Sequence, residues 1–554
     1  MRRKCLSIAA VLMAATLTMT ACSNTNAEVS VQDEVVNQTQ SESIVEEVAQ
    51  DESKYEDAVK ITLSDEAVLV NGEAAATEAS DETAVYVSND IIYYEDKDQY
   101  ESGNPYGEGT DADKHSAEEA AAHTVVNITQ PGTYHVTGTL SAGQIFVNVG
   151  EEESDKVTLI LDGVDITCTV APAVMFYEVY ECDEDASEDT ASYEVDTTNA
   201  GAKVVIADGS VNNVSGSYVA RIYKDQEEEK KLHKYDGAFY SKMSMEITGE
   251  ELGDGILNIT AQNEGLDTEM HLTIYGGNIN ITSLNDGINV NEDGISVCTI
   301  HGGNLNIQSM DGEEGDGIDS NGWLVINGGT VMASSNPTSQ DAGIDSDMGI
   351  YINGGTVIAC GNMYDNVEAD SQANTMVMQF ANGSKGNLVI KNENDEEVLS
   401  FTYIADYTNV VISSEALMEG TYYVYQDETQ LSYTGAMMGM GGRPEMGKGE
   451  MPQMPEGERP EMVEGERPEK PEGEVPAMAE GEKAQKPDGK MPEMGNEERT
   501  EKQKPEGEMP QMAEGERPDM PEQGEGQGTG QMSGEKNAEF VIQKGVNFFG
   551  GVTE

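Results

Sequence analysis

A Gly-Gly doublet recurs at 276–277, 302–303, 328–329 and 354–355, so three successive intervals are each 26 residues long. Each doublet stands between two short runs in which apolar and polar residues alternate, as in HLTIYGG followed by NINIT. Alternation with period two indicates β-strands. A fixed period in the twenties, built from short strands, indicates stacked repeats that bury their apolar faces only against one another. We therefore predict an all-β chain whose central part is a right-handed parallel β-helix.

The same alternation assigns the side chains that point into the core. Stacking the repeats on their glycine doublets gives three inward columns, in which Cys298 takes the place of a leucine and is interpreted as a small buried apolar residue. The columns consist of Leu272, Cys298, Leu324 and Ile350; of Ile274, Ile300, Ile326 and Ile352; and of Ile279, Leu305, Val331 and Val357.

A second marker, Gly followed by Leu or Ile, is flanked by mostly acidic residues, one position before the glycine and two positions after it. Stacked strands lie about 4.8 Å apart, so these side chains are expected to form a ladder in which like charges repel. Asp and Asn are also good turn residues, and solvated turns are the alternative interpretation. The predicted ladder consists of Glu264, Asp267, Asp286, Asn289, Asp316, Asp319 and Asp345.

The ladder lies in a stretch with no basic side chain to balance it. From Met243 to Phe380 the sequence contains no Lys and no Arg. Calcium takes six to eight oxygen ligands in flexible geometry, which suits carboxylates and amides on neighbouring repeats. We therefore predict Ca²⁺ as the cofactor, although the chain has neither EF-hand spacing nor a regular nonapeptide calcium repeat.

The overall charge excludes one class of partner. The formal net charge of the 554 residues is -73, whereas nucleic-acid recognition depends on clustered Lys and Arg. The chain is therefore not expected to bind nucleic acid, and cations are favoured instead. Four cysteines remain beyond the N-terminal region, and they show no C-x-x-C spacing that would indicate a zinc site.

The two ends of the chain are predicted to serve attachment and spacing. Residues 1–21 resemble a lipoprotein signal peptide, with Cys22 as the lipidated residue, so a lipid-anchored protein on the extracellular face of the cell membrane is expected; a plain signal peptide is the alternative. An acidic tether follows at 22–57. The Met-, Pro-, Glu- and Gly-rich residues 436–533 are expected to be a disordered insertion.

Two further domains are predicted between these segments. The β-helix is expected to span 58–380. A small C-terminal β-domain is expected to combine 381–435 with 534–554, because alternating, aromatic-rich runs flank the insertion on both sides. The insertion would then be a long loop between two strands of one sheet, which costs little loop-closure entropy.

The run GTYHVTGTLSAGQIFVNVG, the DGI and I-x-GG repeats, DGIDSNGWLVINGGTV and NVVISSEALMEGTYYVY resemble the carbohydrate-binding β-helix family of Gram-positive anaerobes. The resemblance spans roughly 58–435 and the last twenty residues. It implies a secreted, calcium-containing protein that binds plant cell-wall polysaccharide, acidic pectic chains in particular. It further implies calcium at the loops with the DGID motif, here Asp316 and Asp319. Ala342, where the neighbouring repeat has an acid, departs from a complete ladder.

Binding and catalysis both remain open for such a scaffold, because fold does not decide between them. We favour a non-catalytic binding protein. A polygalacturonase-like hydrolase, which needs two suitably spaced carboxylates, is the alternative; a lyase is less favoured because the repeats offer no Lys or Arg as base. Trp323 and Tyr351 are predicted to point outward on one sheet and to stack on sugar rings, or else to cover a neighbouring loop.

Overall fold

The structure is a computed structural model that describes residues 52–80, 82–96, 109–223, 231–310, 312, 315–435 and 536–554. By contacts the chain divides into Met1–Glu56 and Asp57–Glu554. The first unit contributes a 3-10 helix at Glu52–Tyr55. The predicted signal peptide, Cys22, most of the tether and all of the 436–533 insertion lie outside the described residues and stay predictions.

The second unit is built almost entirely from strands, which confirms the all-β class. Its one described α-helix, α1, is the single turn Ala117–Ala120, capped by the Ser116 side chain. No helix among the described residues is long and apolar enough to cross a membrane.

The strands before the regular repeats are β1 Val59–Leu63, β2 Leu69–Val70, β3 Glu73–Ala74, β4 Val85–Ser88, β5 Thr124–Ile128, β6 Gly132–Leu140, β7 Gly143–Asn148, β8 Val157–Thr167, β9 Val174–Glu178, β10 Ala202–Ile206, β11 Val211–Gly216, β12 Val219–Tyr223 and β13 Lys231–Tyr235. Those of the repeats are β14 Gly237–Ser241, β15 Met245–Gly249, β16 Ile256–Ala261, β17 Glu264–Thr268, β18 Leu272–Ile274, β19 Asn278–Ser283, β20 Ile288–Val290, β21 Val297–Ile300, β22 Asn304–Ser309, β23 Ile318–Ser320, β24 Trp323–Ile326, β25 Thr330–Ser334, β26 Gly349–Ile352 and β27 Thr356–Gly361. The C-terminal strands are β28 Thr375–Asn392, β29 Glu397–Ser414, β30 Gly420–Gln426, β31 Thr429–Gln430, β32 Phe540–Ile542 and β33 Val546–Val552.

Two parallel stacks run through the repeats in the register that the sequence predicts. β15, β18, β21, β24 and β26 pair in that order, with Leu272 opposite Cys298 and Leu324 opposite Ile350. β11, β16, β19, β22, β25 and β27 form the second stack. All twelve residues of the three predicted columns are buried, at 0 to 2% exposure, so the predicted core is confirmed.

A third parallel stack, β7, β9, β14, β17, β20 and β23 in that order, carries the acidic residues. Its inward side chains, among them Leu266, Ile288 and Ile318, join the same hydrophobic core as the columns of the other two stacks. One face of each strand is thereby fixed by apolar burial, which leaves the alternate residues to face outward.

The glycine doublets allow successive repeats to approach closely. The second glycine of each has a positive φ, 98° at Gly277 and 91° at Gly303, which side chains other than glycine rarely adopt. A Cβ at Gly303 would lie 2.8 Å from the carbonyl oxygen of Gly277 in the repeat before. Both the backbone conformation and the lack of space therefore require glycine at this corner.

The C-terminal strands pair across the 436–533 insertion. β30 pairs antiparallel with β32, with Tyr422 opposite Phe540, and β33 pairs parallel with β28. The strands that flank the insertion therefore share one sheet, as predicted. This part has its own core, which includes Phe540 and Phe549. β28 and β29 connect it to the stacks, since β29 pairs antiparallel with β27. The boundary at 380 stays a prediction.

Candidate metal centre

The acidic residues two positions after the marker glycine lie in one column on the outward face of the third stack. Asp267 is opposite Asn289, and Asn289 is opposite Asp319. The Asp345 backbone N–H donates to the carbonyl of Ile318 at 2.8 Å, which continues the column into the next repeat. The predicted stacking of these side chains is therefore present, because the inward leucine and isoleucine residues between them fix the register.

The acids before the marker glycine hold successive repeats together through the backbone. Asp286 Oδ1 accepts a hydrogen bond from the Asp316 N–H at 2.6 Å, and Asp316 Oδ1 accepts one from the Ala342 N–H at 2.6 Å. Each carboxylate thus uses one oxygen on the next repeat. Ala342 breaks the acidic pattern, but it takes part in this contact as the donor, through its backbone N–H. An acidic side chain at this position is therefore not needed for the contact.

The structure brings three of the predicted metal ligands into one group, Asp316, Asp319 and Asp345. One carboxylate oxygen from each lies within 4.8 Å of the others. Oxygen ligands of Ca²⁺ lie about 2.3 to 2.6 Å from the ion, so two ligands of one ion are at most about 5 Å apart. The group therefore fits a calcium ion, which would keep further positions for water or an added ligand. Glu264, Asp267, Asp286 and Asn289 do not belong to this group.

Burial makes the metal-free ladder electrostatically unfavourable. Burial, then the charges of Asp345 and Asp319, raise the pKa of Asp316 to about 9. Burial, then Asp345 and Asp347, raise the pKa of Asp319 to about 7. Burial and the neighbouring carboxylates also raise the pKa of Asp286 well above its ordinary range. A bound cation would lower these values, because it stabilises the ionised carboxylates.

The lower end of the ladder is its N-terminal part, which begins at Glu264. Several side-chain oxygens there have no hydrogen-bond donor among the described residues. Glu264 is 3% exposed and Asp267 is fully buried. Glu264 Oε2, Asp267 Oδ2 and Asn289 Oδ1 have no hydrogen-bond partner among the described residues. Burial followed by the charge of Asp236 raises the pKa of Glu264 to about 8, and burial followed by Glu264 raises that of Asp267. Buried oxygens without donors indicate a cation or water at this end as well.

The expectation that no protein cation balances the ladder is wrong in part. Lys234, which precedes the segment without Lys and Arg, places its Nζ 2.8 Å from Asp236 Oδ2. Burial lowers the pKa of Lys234, but the charges of Asp236, Glu264 and Asp267 outweigh it and raise the value above its ordinary range. The sequence argument missed this lysine because β12 and β13 form a separate two-stranded hairpin outside the repeat.

Sequence reasoning also missed Asp236 and Asn291. Asn291 Nδ2 donates to Asp267 Oδ1 at 2.6 Å, and Lys234 Nζ donates to Asn291 Oδ1 at 3.4 Å. The pair Asp236-Gly237 repeats the Asp-Gly pairs at 286–287 and 316–317, and this signal could have found Asp236. Asn291 lies four residues after its marker glycine, the position that Asn321 takes in the next repeat, so the same signal could have found it. Its contact with Lys234 is decided by the tertiary structure.

Trp323 and Tyr351 face away from the main core on the same sheet, but other residues cover them. Trp323 is only 9% exposed, and it packs in a small apolar cluster with Val297, Val325 and the segment 191–195. Tyr351 stacks on Tyr193 with ring centroids 4.2 Å apart. The expectation of two exposed aromatic platforms is therefore wrong for Trp323, and the alternative, that the two residues cover a neighbouring loop, describes the packing.

The segment that covers them belongs to the acidic connection between β9 and β10, residues 179–201, which interrupts the early strands as an insertion. The Thr197 hydroxyl donates to Thr273 Oγ1 at 2.8 Å, and Glu181 accepts hydrogen bonds from the Ser244 N–H and hydroxyl. Asp183 Oδ2 lies 3.2 Å from His271 Nε2, next to a cavity of about 300 Å³. These contacts hold the insertion on the sheet, so a sugar ring reaches Trp323 only if the insertion moves.

Known proteins share parts of this chain. A carbohydrate-binding domain-containing protein of Acetivibrio thermocellus is 29% identical over 157 residues, which are 28% of this chain and 44% of the relative. The chain thus spans less than half of that curated relative. A solved structure, described as the polysaccharide lyase-like protein from C. thermocellum in a gadolinium derivative, is 22% identical and matches 54% of this chain and 93% of its own, with a TM-score of 0.31. That score is too low to carry an argument.

The family described as "Carbohydrate-binding domain-containing protein" matches residues 122–414 of this chain. The matched segment contains all three parallel stacks and the whole acidic ladder. Because it covers more than half of the 554 residues, the chain belongs to the family of carbohydrate-binding domain-containing proteins.

Proposed function

We propose that this protein binds acidic polysaccharide, pectic chains in particular, through calcium and without catalysis. The observation that carries the proposal is the convergence of Asp316, Asp319 and Asp345, whose oxygens lie within 4.8 Å of one another. Membership in a carbohydrate-binding family supplies the class of ligand. Calcium connects the two, because an acidic surface attracts an acidic glycan only when a cation lies between them.

The donor set is suited to such a bridge. Three protein carboxylates supply at least three of the six to eight oxygens that Ca²⁺ takes, so about half of the coordination positions remain for waters and for uronate oxygens of the glycan. Asp316 and Asp319 belong to the DGID motif that the family resemblance associates with calcium. Asp345 comes from the next repeat, so the ion would also hold two repeats together.

We further propose that the three parallel stacks are the faces of one right-handed parallel β-helix. The 26-residue period supports this, since each period adds one strand to each of the first two stacks in unchanged register. We also propose that Cys22 is lipidated and attaches the protein to the extracellular face of the cell membrane. The lipoprotein-type sequence around Cys22 supports this localisation.

The enzymatic alternatives have less support than binding. A lyase needs a base near the metal, and among the described side chains Lys234 is the lysine that pairs with an acid beside the ladder. Its ammonium is paired with Asp236 and its pKa is raised, which is the opposite of what a general base requires. A hydrolase would use Asp319 or Glu264 as the acid, since both pKa values are raised in the protein without a bound ion.

Affinity electrophoresis in gels that contain polygalacturonate, with calcium or with chelator, tests the proposal. We expect retardation in calcium, its loss in chelator, and its loss in the variant Asp316→Asn/Asp319→Asn/Asp345→Asn. The control Asp406→Asn changes an exposed carboxylate of the C-terminal sheet and should bind like the unmodified protein. Retardation that is equal in calcium and chelator would refute the calcium bridge. Release of reducing ends or unsaturated uronates from the polysaccharide would refute the non-catalytic function.

A further inference from the structure

The ammonium group of Lys234 occupies a defined, largely buried position at the lower end of the acidic ladder. Its side chain is 15% exposed and that of Asp236 is 9% exposed, and the two charged groups are 2.8 Å apart. The same Nζ donates to Asn291 Oδ1, and Asn291 in turn donates to Asp267. The lysine is therefore fixed among residues that belong to the ladder or contact it.

The two ends of the ladder resemble each other in their acids and differ in their cation. The upper end has Asp316, Asp319 and Asp345, whose oxygens lie within 4.8 Å of one another. The charge of Lys234 reaches this end as well, since it acts on Asp319 and opposes the rise in its pKa. At the lower end, the charges of Asp236, Glu264 and Asp267 all act on Lys234. Lys234 is thus in direct contact with Asp236 and is linked to Asp267 through Asn291, while the upper three carboxylates, under the proposed function, bind a calcium ion.

One ammonium group does not satisfy the lower end completely. Glu264 Oε2 and Asp267 Oδ2 have no hydrogen-bond partner among the residues that the structure describes, and both side chains are more than nine-tenths buried. Buried carboxylates persist when a cation or hydrogen-bond donors compensate their charge. A divalent ion would supply twice the charge of Lys234 and more bonds to oxygen, but the ammonium would repel it.

We propose that Lys234 is a built-in cation that takes the place of a divalent ion among Asp236, Glu264 and Asp267. This inference rests on the proposed function, in which the upper end holds calcium. Lys234 thereby restricts calcium binding in the ladder to the site formed by Asp316, Asp319 and Asp345. Since an ammonium group that is already paired with Asp236 offers no open coordination positions, it also confines the glycan bridge to that end.

Counting bound calcium in the full chain, by equilibrium dialysis and elemental analysis, tests the inference. Lys234→Met removes the charge and keeps most of the side-chain volume, and we expect it to bind one more ion per chain than the unmodified protein. The matched control Lys203→Met removes a lysine that pairs with Glu246 at the same distance, 2.8 Å, and should gain none. A folded Lys234→Met variant that binds the same non-zero number of ions as the unmodified protein would overturn the inference.

A second count keeps the test decisive if Lys234→Met does not fold. With Lys234 intact, Asp319→Asn/Asp345→Asn should bind no ion at the ladder, because the lower end is already occupied. An ion that remains in this variant and disappears on further replacement of Asp267 by Asn would overturn the inference. Failure of the calcium proposal has a different signature, since the unmodified protein would then bind no ion at the ladder at all.

Discussion

Two outward columns of the repeats are built with the same spacing but from different chemical groups. In the amide ladder, Asn258 Nδ2 donates to Asn213 Oδ1 and Asn280 Nδ2 donates to Asn258 Oδ1, both at 2.9 Å. In the acidic ladder, Asp267, Asn289 and Asp319 occupy the equivalent in-register positions. An amide carries both donor and acceptor, whereas an ionised carboxylate only accepts. Stacked amides therefore satisfy one another, and stacked carboxylates require an added cation.

The comparison separates a structural use of the repeat from a functional one. The amide ladder needs nothing from outside the protein, and similar contacts join Asn278 to Asn304 and Asn327 to Asn353 at the glycine corners. In the acidic ladder, burial and neighbouring carboxylates raise the pKa values of Asp316 and Asp319, so the ionised form is disfavoured when no cation is bound. If the calcium proposal is correct, conditions that remove the ion should affect the second ladder alone.

The largest effect is expected from pH in the presence of a chelator. The pKa values of Glu264, Asp316 and Asp319 are raised in the folded protein, so between the ordinary value near 4 and about 9 the native state binds more protons than the unfolded chain. Stability must then fall as pH rises through this range. We expect the melting temperature in chelator to drop by about 5 °C or more between about pH 5 and about pH 9.

Saturating calcium should remove the part of this dependence that comes from Asp316 and Asp319, because the ion keeps the carboxylates of the upper end ionised, while the part that comes from Glu264 remains. Thermal unfolding followed by calorimetry at matched ionic strength measures both curves. Parallel curves with and without calcium would mean that Asp316 and Asp319 bind no calcium, and a melting temperature in chelator that does not fall over this range would mean that the acids titrate as ordinary solvated turn residues.

A smaller effect on stability is expected for Asp319→Asn, and its sign should differ between calcium and chelator. In calcium the variant loses a charged ligand and should bind the ion about 10- to 100-fold more weakly, since contacts of this kind contribute about 1 to 3 kcal/mol. In chelator it loses a repulsive charge and should melt slightly above the unmodified protein. Titration calorimetry and thermal unfolding in both buffers check the two signs. A variant that is less stable in both buffers would show that Asp319 acts as an ordinary packing or turn residue.

The smallest effect is expected for the reverse change in the amide ladder, Asn280→Asp. This variant loses the donor to Asn258 and places two acceptors face to face at a part-buried position, which should cost about 0.5 to 1.5 kcal/mol. Because no metal takes part, the loss should be equal in calcium and in chelator. Urea unfolding in the two buffers measures it, with Asn280→Ser as a variant that keeps a donor. A loss that calcium reverses would place a second cation site in the amide ladder.

The sequence predicted the parts of the fold that depend on repetition. The alternation around Leu324 and Ile326 identified the buried face, and the interval between glycine doublets identified the register, because a slip by one residue would move every apolar side chain into solvent. The convergence of Asp316 and Asp319 with Asp345 followed from that register. Each of these inferences needs only local periodicity and the stacking of identical units.

The sequence did not predict contacts made by segments that lie outside the repeat. The 191–195 segment covers Trp323, and Tyr193 stacks on Tyr351, although nothing in the local pattern of the insertion indicates where it packs. The outward direction of both aromatic side chains followed from alternation. Their burial depends on a chain segment more than a hundred residues away.

By itself the sequence determined that apolar side chains alternate with polar ones at a fixed period, and therefore which residues face the core and which acids share a column. Only the tertiary structure decided how the charge of that column is balanced. Lys234 reaches Asp236 from a hairpin outside the repeat, while Asp316, Asp319 and Asp345 meet at the other end of the ladder. Periodicity places side chains on faces, but Coulomb interactions depend on distances in space, and those distances join residues that no local pattern connects.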